Sequence, residues 1–180
     1  MPRILVEPFT ITAESIDLNG HVNNQEYVCW MQDIATAHSH EQGWTVARYL
    51  DTRTTWVIRS HYIEYIRPAF IGDDLMVATW VAGIAEQTSP RKYRFVRVRD
   101  GKTVVEAETL WVYCDATTGR PLAITPEIRD AFPVVGDEAE IKAAIADRLA
   151  DTSGDRQPHL CAGHRRVSPV TGPPRPCRAE

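Results

Sequence analysis

Nowhere in the 180-residue sequence do about 18 apolar residues run together, so no membrane-spanning helix is expected. The opening Met1-Pro2-Arg3-Ile4-Leu5-Val6-Glu7 is too short an apolar run for a secretory signal. Cysteine is scarce: Cys29, Cys114, Cys161 and Cys177 are the four, and their spacing fits neither a metal set nor a disulfide framework. Without a secretion signal, reduced thiols in the cytoplasm are the expectation. Basic residues are not in excess: 20 Lys and Arg face 24 Asp and Glu, a net charge of -4. That balance speaks against nucleic acid as a partner, because phosphate binding calls for a basic surface. Aromatic residues are missing from 151–180, where Pro158, Pro169, Pro173, Pro174 and Pro176 mingle with five arginines. Such a stretch buries too little apolar surface to offset its ordering entropy and reads as a disordered tail.

What is present suits one folded body. Hydrophobic residues are 43% of the chain and charged residues 24%, ordinary for a globular protein. Residues 1–135 read as the main domain, 136–150 as a C-terminal helix and 151–180 as the tail. The body opens with a strand over 4–11. A turn-rich segment, Asp17-Leu18-Asn19-Gly20-His21-Val22-Asn23-Asn24, follows. Tyr27, Trp30, Met31, Ile34, Ala35 and His38 then recur at helical spacing, predicting a helix over 24–42. Asn23 is its expected N-cap, with Glu26 three residues on as in a capping box, and Gly43 its stop. Strands are expected over 56–66, 75–84, 91–99 and 103–113, with Asp100-Gly101 as a hairpin turn. Helices over 126–132 and 137–149 complete the body. The fold class is α+β: a five-stranded antiparallel sheet with one long helix on a face. Its two free edges invite a second copy.

Chemistry concentrates between Asp17 and Tyr27. A helix start offers unpaired N–H groups and partial positive charge, which stabilise a carbonyl oxygen turning into an oxyanion. Asp17 brings a carboxylate, His21 an imidazole, and Asn19, Asn23 and Asn24 bring amides; such a set suffices for thioester hydrolysis. Each residue also has a structural reading. Asp17 is a natural turn former, His21 a loop histidine, Glu64 a solvent-facing strand residue, and Tyr27, Trp30 and Met31 core. His38 and His40 fall on different helix faces, so a metal site there is not expected. Cys29 reads as a small buried hydrophobe.

The string Asp17-x-Asn19-x-His21-Val22-Asn23-Asn24-x-x-Tyr27 resembles that of the acyl-carrier-protein thioesterases of the hotdog-fold superfamily. Asp17 also matches the catalytic aspartate of the 4-hydroxybenzoyl-CoA thioesterase type, and Ile63-Glu64-Tyr65-Ile66-Arg67-Pro68 resembles the superfamily's second-strand segment. The resemblance spans roughly residues 3–132. It implies a hotdog fold, a sheet wrapped on a central helix, in homodimers or homotetramers with sites at the subunit boundary. It implies that Asp17 acts as base or nucleophile, that the Asn24 N–H polarises the thioester carbonyl, and that Asn19, His21 and Glu64 sit at the site. No metal or organic cofactor is implied. The expected substrate is acyl-CoA, with acyl carrier protein the alternative. Tyr27 is a candidate for contact with the acyl group, and Arg59, Arg67, Arg91, Lys92 and Arg94 are candidates for meeting phosphates. Two other readings stand beside hydrolysis: an enoyl-CoA hydratase or dehydratase on the same fold, and a non-catalytic module that binds acyl thioesters.

Overall fold

The computed structural model describes residues 1–152, so the expected tail lies outside the described residues except for its first two positions, which extend a helix. The elements run β1 (Ile4–Thr10), a 3-10 turn (Ala13–Ser15), α1 (Asn24–Glu41), α2 (Val46–Thr52), β2 (Thr54–Tyr65), β3 (Asp74–Val81), β4 (Thr88–Arg97), β5 (Lys102–Asp115), α3 (Pro126–Ala131) and α4 (Glu138–Thr152). The five strands form one antiparallel sheet in the order β1-β3-β4-β5-β2. β3, β4 and β5 are the expected meander. The turn after Asp100 uses Gly101 in the left-handed region, at φ 64°. No helix among the described residues is long and apolar enough to cross a membrane.

The sheet curls around α1, the hotdog arrangement. Tyr27, Met31, Ile34 and Ala35 bury the expected helix face against Leu5, Phe9, Leu75, Val77, Phe95 and Val105. Phe95 sits edge-on to Tyr27, with centroids 5.3 Å apart, which favours the opposed ring quadrupoles. Cys29 lies two positions from Tyr27, on the opposite side of the helix, and is exposed rather than buried. On the outer face α4 covers only part of the sheet: Ile141 and Ile145 pack on Ile4, Met76, Ala78, Trp80 and Val96. A third cluster, Trp44, Val81, Tyr113, Ile128 and Phe132, closes the far end of α1. α2 was not expected. Its residues are all at least partly exposed, so it shows no apolar stripe, and its signature is the Thr45 cap that accepts from the Arg48 N–H.

His38, near the C-terminal end of α1, is buried at 1% exposure. Burial, and then the nearby Arg91 charge, push its pKa down from 6.5 to about 4. A depressed folded-state pKa means the unfolded chain binds the extra proton first as pH falls. The contribution to stability is therefore full above about 6.5 and disappears on acidification toward 4. We expect roughly 3 kcal/mol of stability to vanish across that window, from ~1.4 kcal/mol per pKa unit. Urea unfolding measured on either side of the window checks this; His38→Gln should flatten that part of the profile.

Candidate active site

The segment joining β1 to α1 is folded back on itself. Ile16 pairs with Val22 as an isolated antiparallel bridge, the Asp17 N–H donates to the His21 carbonyl at 2.9 Å, and the Gly20 N–H donates to the Asp17 carbonyl at 3.1 Å. Gly20 takes φ 82°, which a side chain would resist. Asp17 is thereby carried to the residues that lead directly into α1, since directly opposed residues in an antiparallel pair lie about 5 Å apart. Asn23 caps the helix, its side-chain oxygen accepting from the Gln25 N–H at 3.0 Å and its carbonyl from the Glu26 N–H at 3.0 Å. The expected capping box is replaced: the Asn23 N–H goes to the Ser15 carbonyl at 2.8 Å rather than to the Glu26 side chain. The cap's acceptors serve Gln25 and Glu26, which leaves the Asn24 N–H as the first-turn donor for an incoming group.

The Asp17 carboxylate accepts from the Asn19 backbone N–H at 2.7 Å and from the Asn19 amide at 3.4 Å. The His21 ring nitrogen stands 3.8 Å from its second oxygen. Partial desolvation pushes the Asp17 carboxyl up, but the Asn19 donors and the neighbouring His21 outweigh it and hold the pKa below the ordinary value. Asp17 is therefore an anion throughout the neutral range. Its side chain keeps 24% of its surface open to solvent, so in the protomer the site lies open at the surface.

A buried charge cluster supports this loop from below. The Val22 N–H donates to the Ala69 carbonyl at 2.9 Å, tying the loop to the turn between β2 and β3. That turn is held by Asp73, whose carboxylate accepts from the Phe70 N–H at 3.0 Å and pairs with Arg97 at 3.8 Å and Arg99 at 3.2 Å. Arg97 also donates to the Pro68 carbonyl at 3.1 Å and forks onto Asp100 at 3.1 and 2.9 Å, drawing the Asp100 pKa down to about 2.

Asp17, Asn19, His21 and Asn24 are thus brought together, and other expected residues are not. Ile63 packs toward the α1 core, so strand alternation turns Glu64 to the outer face of the sheet, beside Tyr62, Glu106 and Glu108. Tyr65 takes the inner position, with its hydroxyl donating to the Asn24 carbonyl at 3.3 Å and its ring 5.6 Å from Tyr27. The Ile-Glu-Tyr alternation carried that parity. Tyr27 is 2% exposed, and burial lifts its phenol to about 12, so in this protomer it is core. Arg59 is exposed at the bulge of β2, and Arg67 donates to the Thr103 carbonyl at 2.7 Å. Arg91 faces inward from β4 and is 7% exposed. Lys92 pairs with Glu108, and Arg94 with Glu106 and Glu138.

The family model of the acyl-ACP thioesterase N-terminal domain matches residues 4–132. No curated protein matches the sequence. Among solved structures, an acyl-ACP thioesterase from Bacteroides thetaiotaomicron is 20% identical with a TM-score of 0.68; the match covers 75% of this chain and 55% of that one. The chain therefore spans about half the length of that relative. A Staphylococcus aureus protein solved in complex with CoA is 16% identical, with a TM-score of 0.67 and coverage of 74% and 89%. A 1,4-dihydroxy-2-naphthoyl-CoA thioesterase from Synechocystis is 12% identical, with a TM-score of 0.65 and coverage of 71% and 94%. At these identities the likeness is one of fold.

Proposed function

This chain belongs to the acyl-ACP thioesterase N-terminal domain family, and from that premise we propose that it hydrolyses an acyl thioester to the free acid and the thiol, with acyl-CoA the preferred substrate and acyl carrier protein the alternative. One observation carries the proposal: an ionised carboxylate, Asp17, fixed by Asn19 in the loop that leads into α1. In this reading the thioester carbonyl docks on the Asn24 N–H, whose direction and helix dipole receive the charge that builds on oxygen. Asp17 takes a proton from the attacking water, or itself attacks to give an anhydride that water then opens. The carbon–sulfur bond breaks, and the thiolate collects the proton. His21 sits where it adjusts the basicity of Asp17.

Support for acyl-CoA comes from the Staphylococcus aureus protein of similar fold, which was solved in complex with CoA. The working unit in this proposal is a homodimer or homotetramer. Its support is an open β2 edge with Val57 and Tyr62 exposed, and exposed Leu18, Ile66, Phe70 and Ile71 on the segments flanking Asp17. A second copy laid over that surface would roof the site and exclude bulk water from it.

The test is a panel of acyl-CoA esters of varied length and aromaticity, scored for thiol release with a thiol reagent. Turnover of at least one ester is expected. Hydration of an enoyl-CoA with no thiol released would assign the site to a hydratase, and saturable binding without turnover would make it a binding module.

A further inference from the structure

The far end of α1 holds a chamber that the Asp17 chemistry does not use. It is half open to solvent, holds about 300 Å³ between α1, α2, β2, β4 and β5, and is walled by Trp44, Trp56, Trp111 and Phe132. Arg91 enters it from β4. The guanidinium donates to the His38 Nδ1 at 2.8 Å and to the Thr79 hydroxyl at 3.3 Å. Because Nδ1 accepts, the His38 proton sits on Nε2, which donates to the Pro2 carbonyl at 3.0 Å, and the ring is neutral. The ladder neighbours of Arg91 on either side are Val81 and Thr109. Among the described residues no carboxylate pairs with Arg91, and the charged-form interactions it feels are with Tyr49 and Tyr93. Tyr49 and Ser39 are already engaged with each other, and Tyr49 also accepts from the Trp56 indole.

An arginine stays protonated even when buried, and an unpaired buried ion is expensive. The other buried arginine on this face, Arg97, has Asp73 and Asp100. Arg91 has an apolar room in front of it instead. A guanidinium presents a planar fork that fits a carboxylate through two parallel bonds. We propose that this chamber is a binding site for an organic monocarboxylate, its charged group on Arg91 and its flat or aliphatic body between the tryptophans. Cavities that hold small molecules start near ~300 Å³, so the ligand has on the order of a dozen heavy atoms. The site is separate from the Asp17 site of the same protomer. His38 lies 14 residues beyond Asn24 on α1, about 21 Å along the axis at 1.5 Å per residue. The inference therefore stands whether or not Asp17 is catalytic.

Calorimetry on the full chain tests it, with 2-naphthoate and octanoate against their neutral amides, 2-naphthamide and octanamide. One site per chain is expected, with at least one acid binding roughly ten- to a hundredfold more tightly than its amide, the range for losing a charge-assisted bond. Arg91→Gln should abolish that preference, Arg91→Lys should restore part of it, and Asp17→Asn should leave it intact. The acid–amide comparison on the unaltered protein remains decisive if an Arg91 variant fails to fold. Equal affinity for acid and amide, binding of neither acid, or loss of the preference in Asp17→Asn would overturn the proposal.

Discussion

Asp17→Asn should lower acyl-thioester turnover by at least about a hundredfold, the usual scale for losing a positioned base, and leave the fold intact. The substitution is nearly isosteric. An amide oxygen can still accept the Asn19 N–H that holds the carboxylate at 2.7 Å, and the loop's backbone bonds, Asp17 N–H to His21 and Gly20 N–H to Asp17, do not involve the side chain. What is lost is the negative charge in the loop that leads into α1, and with it both roles open to the residue, base and nucleophile. Steady-state thiol release and thermal unfolding, measured on the same preparation, separate the two effects. His21→Ala should cost less, because at 3.8 Å the ring modulates the carboxylate without bonding to it. Unchanged turnover in Asp17→Asn would remove Asp17 from the chemistry altogether.

The largest loss of stability is expected from Asp73→Ala, at about 3 kcal/mol in chemical denaturation. Breaking a buried ion pair by deleting one partner costs about 3–5 kcal/mol, because the survivor is stranded. Here the value falls at the lower end, since Asp100 still holds Arg97 through two bonds. Asp73 has 5% of its side chain exposed and also satisfies the Phe70 N–H, so deletion leaves a backbone donor unserved as well. The damage is local to the strut that carries Val22. Turnover should accordingly fall in Asp73→Ala even at temperatures where the protein is still folded. A melting curve superimposable on that of the parent would show that the cluster contributes nothing.

Much of this architecture was readable in the residues because its signals are local. The α1 face from Tyr27 to His38 repeats with the period of a helix, and the strands are dense in branched and aromatic side chains. The Asp17–Tyr27 motif pointed to the loop that the structure folds beside the helix start. Three things escaped, each for a physical reason. α2 buries no full face, so the periodic signal was absent and only the Thr45 cap marked it. Arg91 was expected to meet a phosphate and Arg97 carried no expectation, yet both lie on the same side of β4 as Tyr93 and Phe95 and turn inward with them. Burial of an arginine is decided by partners far away in sequence, here His38 and Asp73, which no local pattern reveals. The outward turn of Glu64 was legible but not drawn: its neighbours Ile63 and Tyr65 share the inner face, so a residue between them must point out.

β3 lies with both of its faces covered, by α1 on one side and α4 on the other, and every residue after Asp74 is buried. A strand with one wet face is protected from sliding, since a one-position slip would swap its oily and soluble sides. β3 has no wet side to swap, so polarity offers no penalty against a frame-shifted ladder. Bulk must do the discriminating instead: small Ala78 and large Trp80 each fit the α4 side at one alignment, and the Thr10 hydroxyl clasps Asp74 at 2.6 Å to mark the strand's end. Mutations that even out those two volumes would erase the marks by which the chain finds its correct alignment, and would produce misthreaded, aggregation-prone molecules out of proportion to any contact they remove.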